Sequence, residues 1–161
     1  MTSSSIAGTP TAPDVHDRLL YLFHRIRVAT ADAVANELSD LELTGTHALI
    51  LESLHELGEA GAAELARRCL VSRQALSAPL DRLEKRGLIS RPASDHSARL
   101  RPTTLTDEGR AVVATVRSRV GALEQRSREI FDSARLTEFE AMLESYASFW
   151  DNALESGTRH G

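Results

Sequence analysis

The chain has 161 residues, 42% of them hydrophobic but only 4% aromatic, with one cysteine and a formal net charge of −4. That length suits one compact domain or one protomer of an intertwined dimer, packed mainly by Ala, Leu and Val. No window approaches the ~18 uninterrupted apolar residues of a membrane span, and a lone cysteine excludes an internal disulfide and fits a reducing cytoplasm.

Residues 1–13, MTSSSIAGTPTAP, have neither the basic start nor the apolar run of a secretion signal and read as a disordered tail. Pro10 and Pro13 precede a first long helix over 14–38, with an apolar stripe of Leu19, Leu22, Phe23, Ile26, Ala33, Val34 and Leu38. A second helix is predicted over 43–57, capped by Thr44, with Ala48, Leu49, Leu51, Leu54 and Leu57 facing inward. Gly58 to Gly61 break it.

The stretch from Gly61 to Thr106 sets the character of the chain. A short helix over 62–68 is followed by a turn and a longer helix with Ser72 as its N-cap. Leu76, Leu80 and Leu83 recur at four and three and mark the buried face of that helix, while Arg73, Gln74 and Ser77 fall on the opposite side of its first turns. Gly87 ends it, and Pro79 inside it removes one backbone hydrogen bond, which predicts a bend or a first segment set apart. Residues 88–91 and 100–105 read as two strands of a hairpin with Ser94-Asp95-His96-Ser97 at its tip. The order is a helix-turn-helix followed by a wing.

Two more helices follow. Thr106 caps the fifth, with Asp107 and Glu108 in its first turn and Val112, Val113, Val116, Val120 and Leu123 along one side. Thr137 and Glu140 match a capping box for the sixth. There Leu136, Phe139, Leu143, Tyr146, Trp150 and Leu154 repeat at three and four, a stripe that calls for a partner surface, which favours dimerisation over packing within the protomer.

Charge indicates what the central unit meets. Residues 60–101 hold nine basic and four acidic side chains, a net +5 in a chain of −4, so the remainder carries −9. A basic module in an acidic protein is the footprint of contact with a polyanion, here nucleic acid.

With Glu64-Leu65-Ala66, Val71-Ser72-Arg73-Gln74, Leu83-Glu84-Lys85-Arg86-Gly87-Leu88-Ile89 and Leu105-Thr106-Asp107-Glu108-Gly109 in this order and spacing, the sequence resembles the multiple-antibiotic-resistance regulator (MarR) family of bacterial transcription factors over about residues 14–155. The resemblance implies a mainly α fold with a small β-hairpin wing: a winged helix-turn-helix over 43–106, flanked by an N-terminal dimerisation helix over 14–42 and C-terminal dimerisation helices over 107–155, with a tail over 156–161. It implies a cytoplasmic homodimer that binds double-stranded DNA at a palindromic operator, a repressor that a small molecule releases. Gly61 stands where relatives have Thr or Ser, Ala78 where many have Arg, and Ser97 where the wing has Asp, so Asp95 would have to support Arg99 from two residues upstream.

A helix in the major groove reads bases with its N-terminal residues, so Arg73 suits guanine and Gln74 adenine. Ser72 and Ser77 suit phosphate, although Ser72 is equally explained as a cap alone. The cations of the wing, Arg91, Arg99 and Arg101, are candidates for the adjacent minor groove or its phosphates; a solvated edge strand is the plainer account of Arg99 and Arg101. Family members often bind small anionic aromatics, and Arg25, Arg27 and His47 are candidate pocket residues on that analogy alone. No cofactor is indicated. His24, His47 and His55 lack ligand spacing, so no metal site is expected. Cys69 reads as a small buried hydrophobe; a thiol switch would require exposure near Arg67, Arg68 and Arg73. No nucleophile elbow, P-loop, dinucleotide fingerprint or HExxH supports an enzyme. The competing readings are a winged-helix module that binds protein or bends DNA without sequence preference, and a redox-responsive regulator acting through Cys69.

Overall fold

A computed structural model describes residues 14–91 and 102–157. After a 3-10 turn at Val15–Asp17, α1 runs Leu19–Glu37 and α2 runs Gly45–Leu57; a two-residue strand β1 (Glu59–Ala60) leads into α3 (Ala62–Arg68) and α4 (Arg73–Lys85). β2 (Ile89–Ser90), β3 (Thr103–Leu105), α5 (Asp107–Arg128) and α6 (Ser133–Gly157) complete the order. The mainly helical fold with a small antiparallel sheet is the one expected. The predicted tail at 1–13, residues 158–161 of the tail predicted over 156–161, the hairpin tip, Arg99 and Arg101 lie outside the described residues, whereas residues 156–157 end α6. The chain divides into two units, one ending at Val116 and the other beginning at Arg117.

The first unit is built around α2 and α4. Ile50, Leu51 and Leu54 of α2, Leu65 of α3, Leu76, Leu80 and Leu83 of α4, Leu88 after it, and Val113 and Val116 of α5 are buried together with Leu38 and Leu43. Removing so much aliphatic surface from water, at ~25 cal/mol per Å², is the main stabilising term of this unit. Thr44 caps α2: its hydroxyl accepts from His47 N at 3.3 Å while its own N–H donates to His47 Nδ1 at 3.1 Å. Leu49 and Leu57, predicted to face inward, are exposed, and Ile50 is buried in their place. Ala48, Leu51 and Leu54 face inward as predicted. Ala62, the first residue of α3, is exposed.

The sheet has β3 at its centre, pairing Glu59 with Thr104 and Ala60 with Thr103 on one side, and Ile89 with Leu105 and Ser90 with Thr104 on the other, all antiparallel. The Gly58–Gly61 break thus contains a third strand. No residue of α1 is buried: Leu19, Leu22 and Ile26 of its apolar stripe are exposed, Phe23, Ala33 and Val34 are half-buried, and Leu38 is buried just past the helix end.

In the second unit, Asp132 Oδ1 accepts from Arg135 N at 2.9 Å and starts α6 one turn ahead of the predicted capping box. Thr137 is consequently inside the helix, its hydroxyl donating to the Ser133 carbonyl at 3.0 Å. Phe131 stacks on Phe139 with ring centroids 4.8 Å apart, and Arg128 pairs with Glu140 at 3.0 Å. Met142, Leu143, Phe149, Trp150 and Leu154 are exposed.

Candidate nucleic-acid interface

The turn between α3 and α4 is built by two backbone hydrogen bonds, Leu70 N to Arg67 O at 3.2 Å and Val71 N to Ala66 O at 3.0 Å. This closure needs a left-handed residue after the helix, and Leu70 takes it at φ +53°. The side chain of Leu70 is 91% exposed. Ser72 then caps α4, its Oγ accepting from Ala75 N at 3.1 Å. The capping role assigned to Ser72 is thus present, and its hydroxyl proton remains available to an acceptor outside the protein.

Arg73, Gln74 and Ser77 are exposed on the first two turns of α4, whereas Leu76, Leu80 and Leu83 are buried. The helix runs unbroken through Pro79, which is half-buried, so the first turns are not set apart as a separate segment. Arg73 forms no ion pair among the described residues. Other cations of the basic module are committed. Arg67 pairs with Glu64 at 2.6 Å and Arg68 with Glu56 at 2.7 Å, which ties α3 to α2. The Arg67 hydrogen bond, helped by Arg68, holds the Glu64 carboxyl below the usual carboxylate range. Arg86 Nη1 donates to the Glu42 carbonyl at 3.2 Å. Arg91, a wing candidate, is held by Asp81 at 2.7 Å and by Glu84.

The wing joins the scaffold through Thr106. Its hydroxyl donates to the Gly87 carbonyl at 2.6 Å and accepts from Gly109 N at 3.0 Å, so one side chain caps α5 and fixes the turn after α4.

The remaining candidates are not brought together. Arg25 and Arg27 are exposed on α1, Arg27 lying 3.5 Å from His24 Nδ1, and among the described residues neither bonds to His47. The His47 ring is buried in the cap of α2, and burial, with Arg82 and Arg86 nearby, pushes its pKa down. Cys69 is buried, and burial pushes its thiol pKa up, the opposite of what a reactive thiolate needs. No group of three or more metal-ligating side chains occurs among the described residues.

A model of the MarR family matches residues 41–100, from the approach to α2 into the wing. The chain is 35% identical over 128 residues to the HTH-type transcriptional repressor Rv2887 of Mycobacterium tuberculosis, covering 80% of this chain and 92% of that protein. It belongs to the MarR family. The crystal structure of that MarR-family protein in complex with DNA matches 80% of this chain and 97% of its own, with TM-score 0.64 and 32% identity. Its complex with p-aminosalicylic acid matches with TM-score 0.63 and 33% identity over 81% of this chain and 98% of that one. The transcriptional repressor CouR bound to a 23-mer DNA duplex matches with TM-score 0.73 and 26% identity over 83% of this chain and 94% of its own.

As a MarR-family chain, it keeps the family order of elements while departing at Gly61, which caps α3 with no side-chain hydrogen bond, and at Ala78 on the exposed face of α4. Sequence reasoning missed the two acids that engage Arg91: Asp81 and Glu84 sit ten and seven residues before it, a separation set by the turn at Gly87 rather than by helix spacing. No helix among the described residues is long and apolar enough to cross a membrane.

Proposed function

We propose that this MarR-family protein is a homodimeric, sequence-specific DNA-binding repressor, not an enzyme, working in the cytoplasm. The observation that carries the reading is the N-terminal half of α4: Arg73, Gln74 and Ser77 are exposed on a helix that Leu76, Leu80 and Leu83 lock into the core. A helix so presented enters the major groove, Arg73 and Gln74 offering bidentate partners to base edges and Ser72 and Ser77 to phosphate. Arg99 and Arg101 of the wing supply sequence-independent contacts. The DNA complexes of Rv2887 and CouR support this reading. Segments 14–42 and 107–155 hold the dimer, a role supported by the uncovered apolar side chains on α1 and on α6. Release by a small aromatic acid is supported by the Rv2887 complex with p-aminosalicylic acid. Arg25 and Arg27, exposed on α1, are the candidates to meet such an anion, and His47 of α2 is the third, its ring held in the helix cap.

The test is selection of duplexes from a random pool by the purified protein, repeated with p-aminosalicylate and salicylate. A palindrome with half-sites about one helical turn apart is expected. A specific-to-nonspecific affinity ratio near one would favour instead a DNA-bending or protein-binding module.

A further inference from the structure

Two carboxylates sit on the reading side of α4. Arg73, Ser77 and Asp81 follow one another at four-residue spacing along an exposed row of α4, and the half-buried Glu84 lies one turn after Asp81. Beside a phosphate backbone, Asp81 and Glu84 would repel the duplex that Arg73 attracts. Both are occupied. Arg91 Nε donates to Glu84 Oε2 at 2.9 Å, and Nη2 donates to Asp81 Oδ1 at 2.7 Å and also to Glu84. The Arg91 side chain is only 21% exposed. It directly follows β2, where the chain departs into the wing. A planar guanidinium can serve two carboxylates at once, whereas a phosphate contact would require it to abandon them.

We propose that Arg91 is a positioning residue: it cancels Asp81 and Glu84 on the reading side of α4 and anchors the root of the wing to that helix, and it is not a DNA ligand. The inference rests on the DNA-binding reading above and removes Arg91 from the wing cations that would touch DNA.

The experiment measures affinity for a duplex recovered by selection with the wild-type protein, titrated between 50 and 200 mM salt. Arg91→Gln is compared in the wild-type background and in an Asp81→Asn/Glu84→Gln background. Expected is a loss of about tenfold in the first background, a loss below about threefold in the second, and an unchanged salt slope, the non-additivity of contacting groups. A phosphate ligand behaves oppositely: freed from its acids, it would lose at least as much in the second background, and the slope would fall by about 0.9 per protomer. That pattern overturns the inference while leaving the regulator intact. Failure of the wild type to bind any duplex would instead overturn the DNA-binding reading. Should Arg91→Gln not fold, Arg91→Lys decides: a phosphate contact tolerates the lysine, whereas a fork between two carboxylates does not, so a loss of about tenfold supports the inference and near-wild-type affinity overturns it.

Discussion

Gly109 lies so close to the Leu88 carbonyl that a Cβ built on the glycine would stand 1.9 Å from that oxygen. The first turn of α5 is thereby pressed against the chain entering β2, and the Thr106 hydroxyl bridges the same two segments. Gly109→Ala must push backbone away from backbone, with no flexible side chain to yield. A destabilisation on the order of 3 kcal/mol is expected, at the upper end of overpacking costs, read as a lower urea midpoint at unchanged slope. Wild-type stability in this variant would mean that the two segments separate freely.

Two helix ends in the DNA-binding unit share one turn geometry and differ in one residue. After α4, Gly87 takes φ +72°, and after α3, Leu70 takes φ +53°. The Leu70 side chain buries almost nothing to offset its backbone strain. Leu70→Gly relieves a left-handed cost of about 1–2 kcal/mol and adds unfolded-chain entropy of about 0.5–1 kcal/mol, leaving a small net gain. Gly87→Ala meets only a Glu108 side-chain oxygen at 4.0 Å, so it should cost about 1 kcal/mol from strain alone. Thermal unfolding should therefore move up a few degrees for the first variant and down for the second. Shifts of the same sign would refute the shared geometry.

The helices and the wing were legible because their signals were strong and local. Ser72, Thr44 and Thr106 are caps, and Leu76, Leu80 and Leu83 are the buried face of α4, as their spacing requires. β1 was not legible, since two residues between glycines carry no period and exist as a strand only because β3 offers its free edge. The capping box at Thr137 failed because Asp132, with Phe131 stacked on Phe139, starts the helix earlier. In the candidate interface, the exposure of Arg73, Gln74 and Ser77 on the first turns of α4 follows from their place in the helix. The pairing of Arg91 depends on how the chain returns after Gly87, which no linear pattern encodes.

His47 makes stability depend on pH. Its Nδ1 accepts from Thr44 N, which only the neutral ring can do, and burial with Arg82 and Arg86 nearby lowers its folded pKa below the ordinary value of 6.5. Its contribution is fully present above 6.5, because neither state then binds the proton. As pH falls through that value the unfolded chain protonates first, so stability declines, by at most about 1.4 kcal/mol per pH unit from this group. Urea midpoints at pH 7.5 and 5.5 should differ more for wild type than for His47→Asn. Equal differences would remove His47 as the cause.

Two variants separate the roles proposed for α4 and the wing, base reading and phosphate contact. Arg73→Ala should cost about 1–3 kcal/mol at one base position of the selected duplex and little on unrelated sequences. Arg99→Ala should weaken all duplexes alike and lower the salt slope by about one per protomer. Binding curves for the selected duplex and for a scrambled one distinguish the two. Uniform loss with Arg73→Ala would make it a phosphate clamp.

The dimer is testable on α6 without disturbing the protomer fold. Leu143 and Trp150 stand on one stripe, seven residues apart, and are 37% and 41% exposed. Glutamate favours helix, so Leu143→Glu/Trp150→Glu should leave helical content intact. In a symmetric pair each substitution counts twice, and burying one such side chain is worth about 1.5–3 kcal/mol. The double variant should therefore weaken association by at least about a thousandfold and sediment as a monomer at micromolar concentration. Each monomer would carry one α4 to one half-site, so binding to the palindrome should fall to that of an isolated half-site. A variant that remains dimeric would place the interface elsewhere and leave the exposed stripe of α6 without its partner.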